Sequence, residues 1–193
     1  NYNTGVGFLA FGFPVTKWWG SSFGIRPFTK AAYTTGETIS NPNTGNVNYI
    51  YEGTGGINQF YWGNGFQFNG FAIGINTSYL FGPLEKNKRQ LFDQPNNLNY
   101  YTNELINLGG FYFNYGMQYS HTIDTLFKKQ LSKPITLTIG AVADFNTTLN
   151  ARKKEIGITF IEYIEDPFLI LPLDTLISSN DTNTVIFPKS IGI

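Results

Sequence analysis

Large and small side chains alternate along FAIGINTSYLFG, residues 71–82. Phe71, Ile73, Ile75, Thr77, Tyr79 and Phe81 fall on one side, and Ala72, Gly74, Asn76, Ser78, Leu80 and Gly82 on the other. A period of two marks a β-strand whose faces meet different surroundings. The pattern returns at 105–121, where Phe111, Phe113, Tyr115, Met117 and Tyr119 oppose Tyr112, Asn114, Gly116, Gln118 and Ser120. It returns again at 135–151, where Ile135, Leu137, Ile139, Ala141, Ala143 and Phe145 oppose Thr136, Thr138, Gly140, Val142, Asp144 and Asn146. Weaker alternation predicts strands at 4–14, 22–33, 47–53 and 57–63. In 22–33, Phe23, Ile25, Ala31 and Tyr33 share one expected face and Arg26, Phe28 and Lys30 the other, with Pro27 marking a bulge or kink.

The joins between these strands alternate in length. Short joins fall at 14–21 and 63–70 and a moderate one at 121–134; long polar ones fall at 34–46, 83–103 and 152–184. An antiparallel meander places successive joins at opposite ends, so all three long ones share one end. Long external loops over short turns are the pattern of an outer-membrane barrel. The expected fold is therefore all-β: an antiparallel transmembrane β-barrel of the outer-membrane type, with 1–193 one partial barrel domain and 34–46, 83–103 and 152–184 its external loops. The closing VIFPKSIGI reads as the start of another strand, so an incomplete portion of a barrel is expected.

Composition favours that reading over a soluble one. Only 13% of the 193 residues are charged, about half the usual share, while aromatics reach 17%. A water-exposed protein of formal net charge +0 with so few charges would be poorly soluble. No stretch is long and apolar enough for a transmembrane helix. There is no cysteine, which excludes disulfides and thiol chemistry.

The face assignments follow. Ile73, Ile75, Phe111, Phe113, Ile135, Leu137 and Ile139 are expected to face lipid, and Asn76, Asn114, Gln118 and Asp144 a wet lumen. Trp18, Trp19 and Trp62 are expected in an aromatic girdle, where an indole meets both an apolar and a wet environment. The alternative is a soluble β-sandwich binding module, which would bury the large row, including Phe111, Phe113 and Met117, against a second sheet.

GGINQFYWGNGFQFNGFAIGINTSYLFG (55–82), QYSHTI (118–123), KPITLTIGAVADFNTTLNA (133–151) and FPKSIGI (187–193) resemble the FadL/OmpP1/TodX outer-membrane barrels, in particular their Bacteroidetes members. That resemblance implies a fourteen-stranded barrel in the bacterial outer membrane, with an N-terminal plug, that admits small hydrophobic compounds passively. No plug segment precedes the first strand here. Related barrels also act as non-transport subunits or anchors in outer-membrane protein secretion, which is the alternative function. The expected partners are membrane lipid or detergent, a hydrophobic small molecule and an outer-membrane protein.

Catalytic chemistry is not expected. His121 is the single histidine; Ser120 beside it points to the opposite face of the strand. No His/Cys/Asp/Glu spacing fits a metal, and no glycine-rich phosphate loop is present, so neither catalytic residue nor cofactor is assigned. The short basic cluster of Lys86, Lys88 and Arg89 is diluted by Glu85 and Asp93, too small a footprint for nucleic acid.

Overall fold

A computed structural model describes residues 7–42, 45–94, 97–126, 129–163 and 166–192. The described residues form one antiparallel sheet and no helix: β1 Leu9–Pro14, β2 Trp19–Asn41, β3 Gly45–Phe68, β4 Phe71–Phe92, β5 Asn99–Leu126, β6 Lys129–Asp144, β7 Thr147–Tyr163, β8 Asp166–Phe187 and β9 Ser190–Gly192.

Two pairs of these strands are halves of single ribs. β6 and β7 both pair with β5, β6 along 114–126 and β7 along 99–109, with Phe145 and Asn146 between them. β8 and β9 continue one another in the same way, pairing with β7 and β6 on either side of Pro188 and Lys189. Proline has no N–H to give a ladder, and the gap is bridged by side chains instead. Lys189 N donates to Asn146 Oδ1 at 2.8 Å, and Ser190 Oγ to Asp144 Oδ2 at 2.6 Å. The sheet is thus an uncrossed meander, and its edge strands do not pair with each other among the described residues. Where an incomplete portion of a barrel is expected from the sequence, the architecture is an antiparallel sheet that curls without closing.

The stretches read as loops are strand. Residues 34–41 pair with 45–52, 84–92 with 47–55 and 100–106 with 84–90, and 152–163 pair with β8. Residues 43–44, 95–96 and 164–165 lie outside the described residues, as do 1–6 with Gly5. The physical reason is that hydrophobic alternation reports two different environments, not β geometry. A hairpin wet on both faces keeps its ladder and loses the pattern. At the other end the turns are tighter than expected. Asn69 and Gly70, with φ of 47° and 82°, form a two-residue turn of the kind whose left-handed backbone matches sheet twist.

A β-bulge between Pro27 and Thr29 shifts the β2–β3 register by one residue. It corrects one expectation: Arg26 and Lys30 do not share a face. Past the bulge Tyr33 changes sides, joining Phe28. Phe28 stays on the concave side with Arg26, where its ring lies 5.5 Å from Tyr112 on β5 and 5.9 Å from Phe187 on β8. In a flat sheet β2 and the β8 rib, five steps apart in the pairing order, would be roughly 24 Å apart at about 4.8 Å per step. Their ring contact measures how tightly the sheet coils. Ile57, Leu80, Leu108, Tyr112, Leu149 and Ala151 are buried on this concave side, with Phe28, Leu84, Ile106 and Phe187 packed against them.

Leu80 and Leu149 are fully buried there. Leu80→Ala is expected to lower stability by about 2–5 kcal/mol, the cost of a core methyl deletion plus its cavity. Denaturant unfolding of the full-length protein refolded in detergent measures this.

Candidate functional site

The two faces of the curled sheet differ throughout. On the convex face large apolar side chains line up across strands. Phe11 lies opposite Phe23, Phe23 opposite Trp62, Phe60 opposite Tyr79 and Tyr79 opposite Phe111, with ring separations of 5.4 Å for both Phe11–Phe23 and Tyr79–Phe111. Ile73, Ile75, Phe111, Phe113, Ile135, Leu137 and Ile139, the residues expected to face lipid, all lie on this face and are exposed. Among the described residues no second sheet covers it: Phe111 is 60% and Met117 58% exposed. That overturns the β-sandwich alternative, which needs those side chains sealed.

At the short-turn end Trp18 stacks on Phe66 at 6.1 Å and on Phe68 at 5.3 Å, and Trp19 on Phe66 at 6.0 Å. Trp19 Nε1 donates to Asn64 Oδ1 at 3.1 Å, so that ring keeps its polar atom satisfied. Trp62 does not join them. It lies opposite Phe23, four residues along β3 from Phe66, and its Nε1 donates to Ser21 Oγ at 2.9 Å. Trp18 and Trp19 thus cluster at the short-turn end, while Trp62 lies farther along the sheet.

The concave face is built in tiers. Near the short turns a row of small residues crosses the sheet in register: Gly20, Gly65, Gly74 and Gly116. A side chain on Gly65 would meet no atom within 4 Å, so this row floors open space. Two adjoining hollows of about 750 and 900 Å³ lie over it. Asn76, Asn114, Gln118 and Asp144, the residues expected in a lumen, all line these hollows. Asn76, Asn114 and Asp144 share the next cross-strand row, where Asn114 Nδ2 donates to Asp144 Oδ1.

Above that row polar side chains run into the core. Arg26 Nε donates to Gln59 Oε1 at 2.8 Å, Gln59 Nε2 donates to Ser78 Oγ at 2.7 Å, and the Arg26 guanidinium lies 5.6 Å from the Tyr61 ring centre. Gln59 and Ser78 are each only 1% exposed, and their mutual hydrogen bond is what makes that burial tolerable. The apolar cluster around Leu80 closes the space above. Sequence reading missed this chain because Gln59 pairs with Arg26 only across strands; a glutamine inside an apolar run was the available signal.

Beyond the core, on the extended hairpins, ion pairs link three strands. Lys86 Nζ lies 3.2 Å from Glu104 Oε1, and Lys153 Nζ lies 3.2 Å from Glu104 Oε2 and 2.9 Å from Glu155 Oε2. Partial burial pushes the Glu104 carboxyl pKa up, but the hydrogen bonds and charges of Lys153 and Lys86 outweigh it and leave it below its ordinary value. The hydrogen bonds to Glu155 and Glu104 raise Lys153 above its own. Among the described residues no three His, Cys, Asp or Glu side chains converge to hold a metal. His121 stacks on Tyr119 at 6.3 Å on the convex face.

Comparison with known families is decisive on kinship. The family model BamG matches residues 1–189. The chain belongs to the BamG family. The resemblance to FadL/OmpP1/TodX barrels is thereby corrected: the aromatic strands and glycine-broken hairpins that carried it are general to sheets with one apolar and one small-residue face. No curated protein and no solved structure matches the chain.

The Glu104 network sets a pH dependence. Because the Glu104 pKa is depressed on folding, its stabilisation is present above the ordinary carboxylate range, about pH 4.3, and is lost as pH falls through the folded value. Glu104→Gln is therefore expected to flatten the loss of stability with acid below about pH 4.5, by about 1 kcal/mol or less for so accessible a network. Thermal unfolding scans of both proteins across that range check it.

Proposed function

We propose that the protein is a non-transport, membrane-embedded wall subunit of the bacterial outer-membrane barrel-assembly complex. Membership of the BamG family over residues 1–189 carries this reading, since that family is tied to the assembly complex. The convex face supports the membrane half of it. From Phe71 to Phe81 the apolar side of β4 covers about 33 Å of strand at roughly 3.3 Å per residue, or about 23–25 Å if tilted as barrel strands are. That matches the apolar band of an outer-membrane barrel, with Trp18 and Trp19 at its lower border and the charged hairpins beyond its upper one.

Passive uptake of hydrophobic compounds is not supported. The concave side at mid-height is filled by Leu80, Tyr112, Leu149 and Phe28, which leaves the hollows below without an apolar route upward. The proposed role is structural: to anchor in the membrane and hold a projecting sheet beside a partner.

Two measurements test it. The full-length protein, isolated from its native outer membrane in mild detergent, should bring the assembly complex with it in fixed stoichiometry; isolation alone would refute the subunit role. A cation placed toward lipid should cost about 2–4 kcal/mol at mid-depth. Phe113→Arg should therefore lower the folded yield in membranes well below that of Asn114→Arg, which places its charge on the concave side. Equal yields would defeat the face assignment.

A further inference from the structure

The hairpins that project past the apolar band carry a surface that the anchoring role leaves unused. Tyr49 and Tyr51 on β3 stack with ring centres 6.4 Å apart and planes 11° from parallel. Lys88 on β4 holds its ammonium 5.3 Å from the Tyr49 centre and 5.6 Å from that of Tyr51. Tyr33 adds a third ring from β2. It lies flat over Gly53, where a side-chain carbon would come within 2.1 Å of it. Tyr100 of β5 covers Gly157 in the same way, at 2.5 Å from its hydroxyl. Pairing register places all five on the concave side: Tyr51 lies opposite Lys88, Tyr33 opposite Gly53, and Gln90, two residues from Lys88, opposite Tyr100.

This cradle is not explained by packing. Tyr33 is 51% exposed, and the apolar cluster ends at Leu84 and Ile106. Its charge is uncompensated. Lys86 and Lys153 are neutralised by Glu104 and Glu155, whereas among the described residues Lys88 makes no ion pair, not even with Glu37, which lies opposite Tyr49. Clustered tyrosines are enriched at protein interfaces, and the ammonium held over two of them selects a carboxylate. Height sets the cradle above phospholipid headgroups. Lys88 lies seven residues past Phe81, roughly 23 Å along the strand and about 16 Å above the band when tilted, whereas headgroups add only about 5–8 Å.

We infer that this tyrosine cradle around Lys88 docks an acidic loop of a protein partner in the outer-membrane assembly complex. The inference rests on the subunit role above and names the surface that role uses. The full-length protein is isolated from native outer membranes as wild type, Lys88→Glu, Lys88→Arg and Lys154→Glu. Lys154→Glu makes the same charge change on the convex side of the same sheet. The complex retained per mole of protein should fall about ten-fold for Lys88→Glu and stay near wild type for Lys88→Arg and Lys154→Glu. Soluble polyglutamate, but not polylysine, should displace the complex from wild type. Equal retention by Lys88→Glu and Lys154→Glu overturns the inference while the subunit role stands. Lipopolysaccharide lost from Lys88→Glu with the protein complex kept also overturns it. A wild-type protein that carries no complex overturns both.

Discussion

The contact of Phe28 with Tyr112 and Phe187 is the constraint on which the shape depends. It joins β2 to β5 and to the β8 rib across the concave side. A meander of long antiparallel strands could lie nearly flat; alternation turns the Phe28 ring inward beside the bulge at Pro27–Thr29, and packing it against the cluster of Leu80 and Leu149 rolls the sheet around it. Other features at that level permit the bend. A side chain on Gly82 would come within 2.1 Å of Gly56 O, so only glycine lets β3 and β4 approach so closely there. The β6–β7 and β8–β9 ribs interrupt their ladders nearby and are tied by Asn146 and Asp144.

Curling separates the chemistry of the two faces. The convex side can bear large side chains because nothing of the described chain covers it, and those side chains are aromatic or branched. The concave side must hold small residues below and a packed apolar cluster at mid-height, with the polar groups beside that cluster paired. The Arg26–Gln59–Ser78 chain meets that demand: its hydrogen bonds let two polar side chains sit at 1% exposure. A hollow below, a plug of side chains above it and a charged, tyrosine-bearing sheet beyond make a wall with a projecting platform. That form suits a subunit that holds its place beside another protein better than one that passes a solute.

The alternation in 71–82, 105–121 and 135–151 determined by itself that these segments are strands and which residues share a face. Asn76, Asn114, Gln118 and Asp144 lie together on one side, and the seven aliphatic and aromatic residues opposed to them lie on the other, because period-two geometry is local to the backbone. Three things were decided only by tertiary structure. The polar stretches at 34–41, 84–92 and 152–163 are strands because their partners across the hairpin complete their ladders, and no single strand displays its partner. The side taken by Tyr33 and Lys30 depends on one extra residue in the β2–β3 register, which flips every position after it. The degree of coiling, the filled mid-height and the cradle of Tyr33, Tyr49, Tyr51 and Lys88 arise from contacts between strands far apart in sequence, and local periodicity carries no information about those.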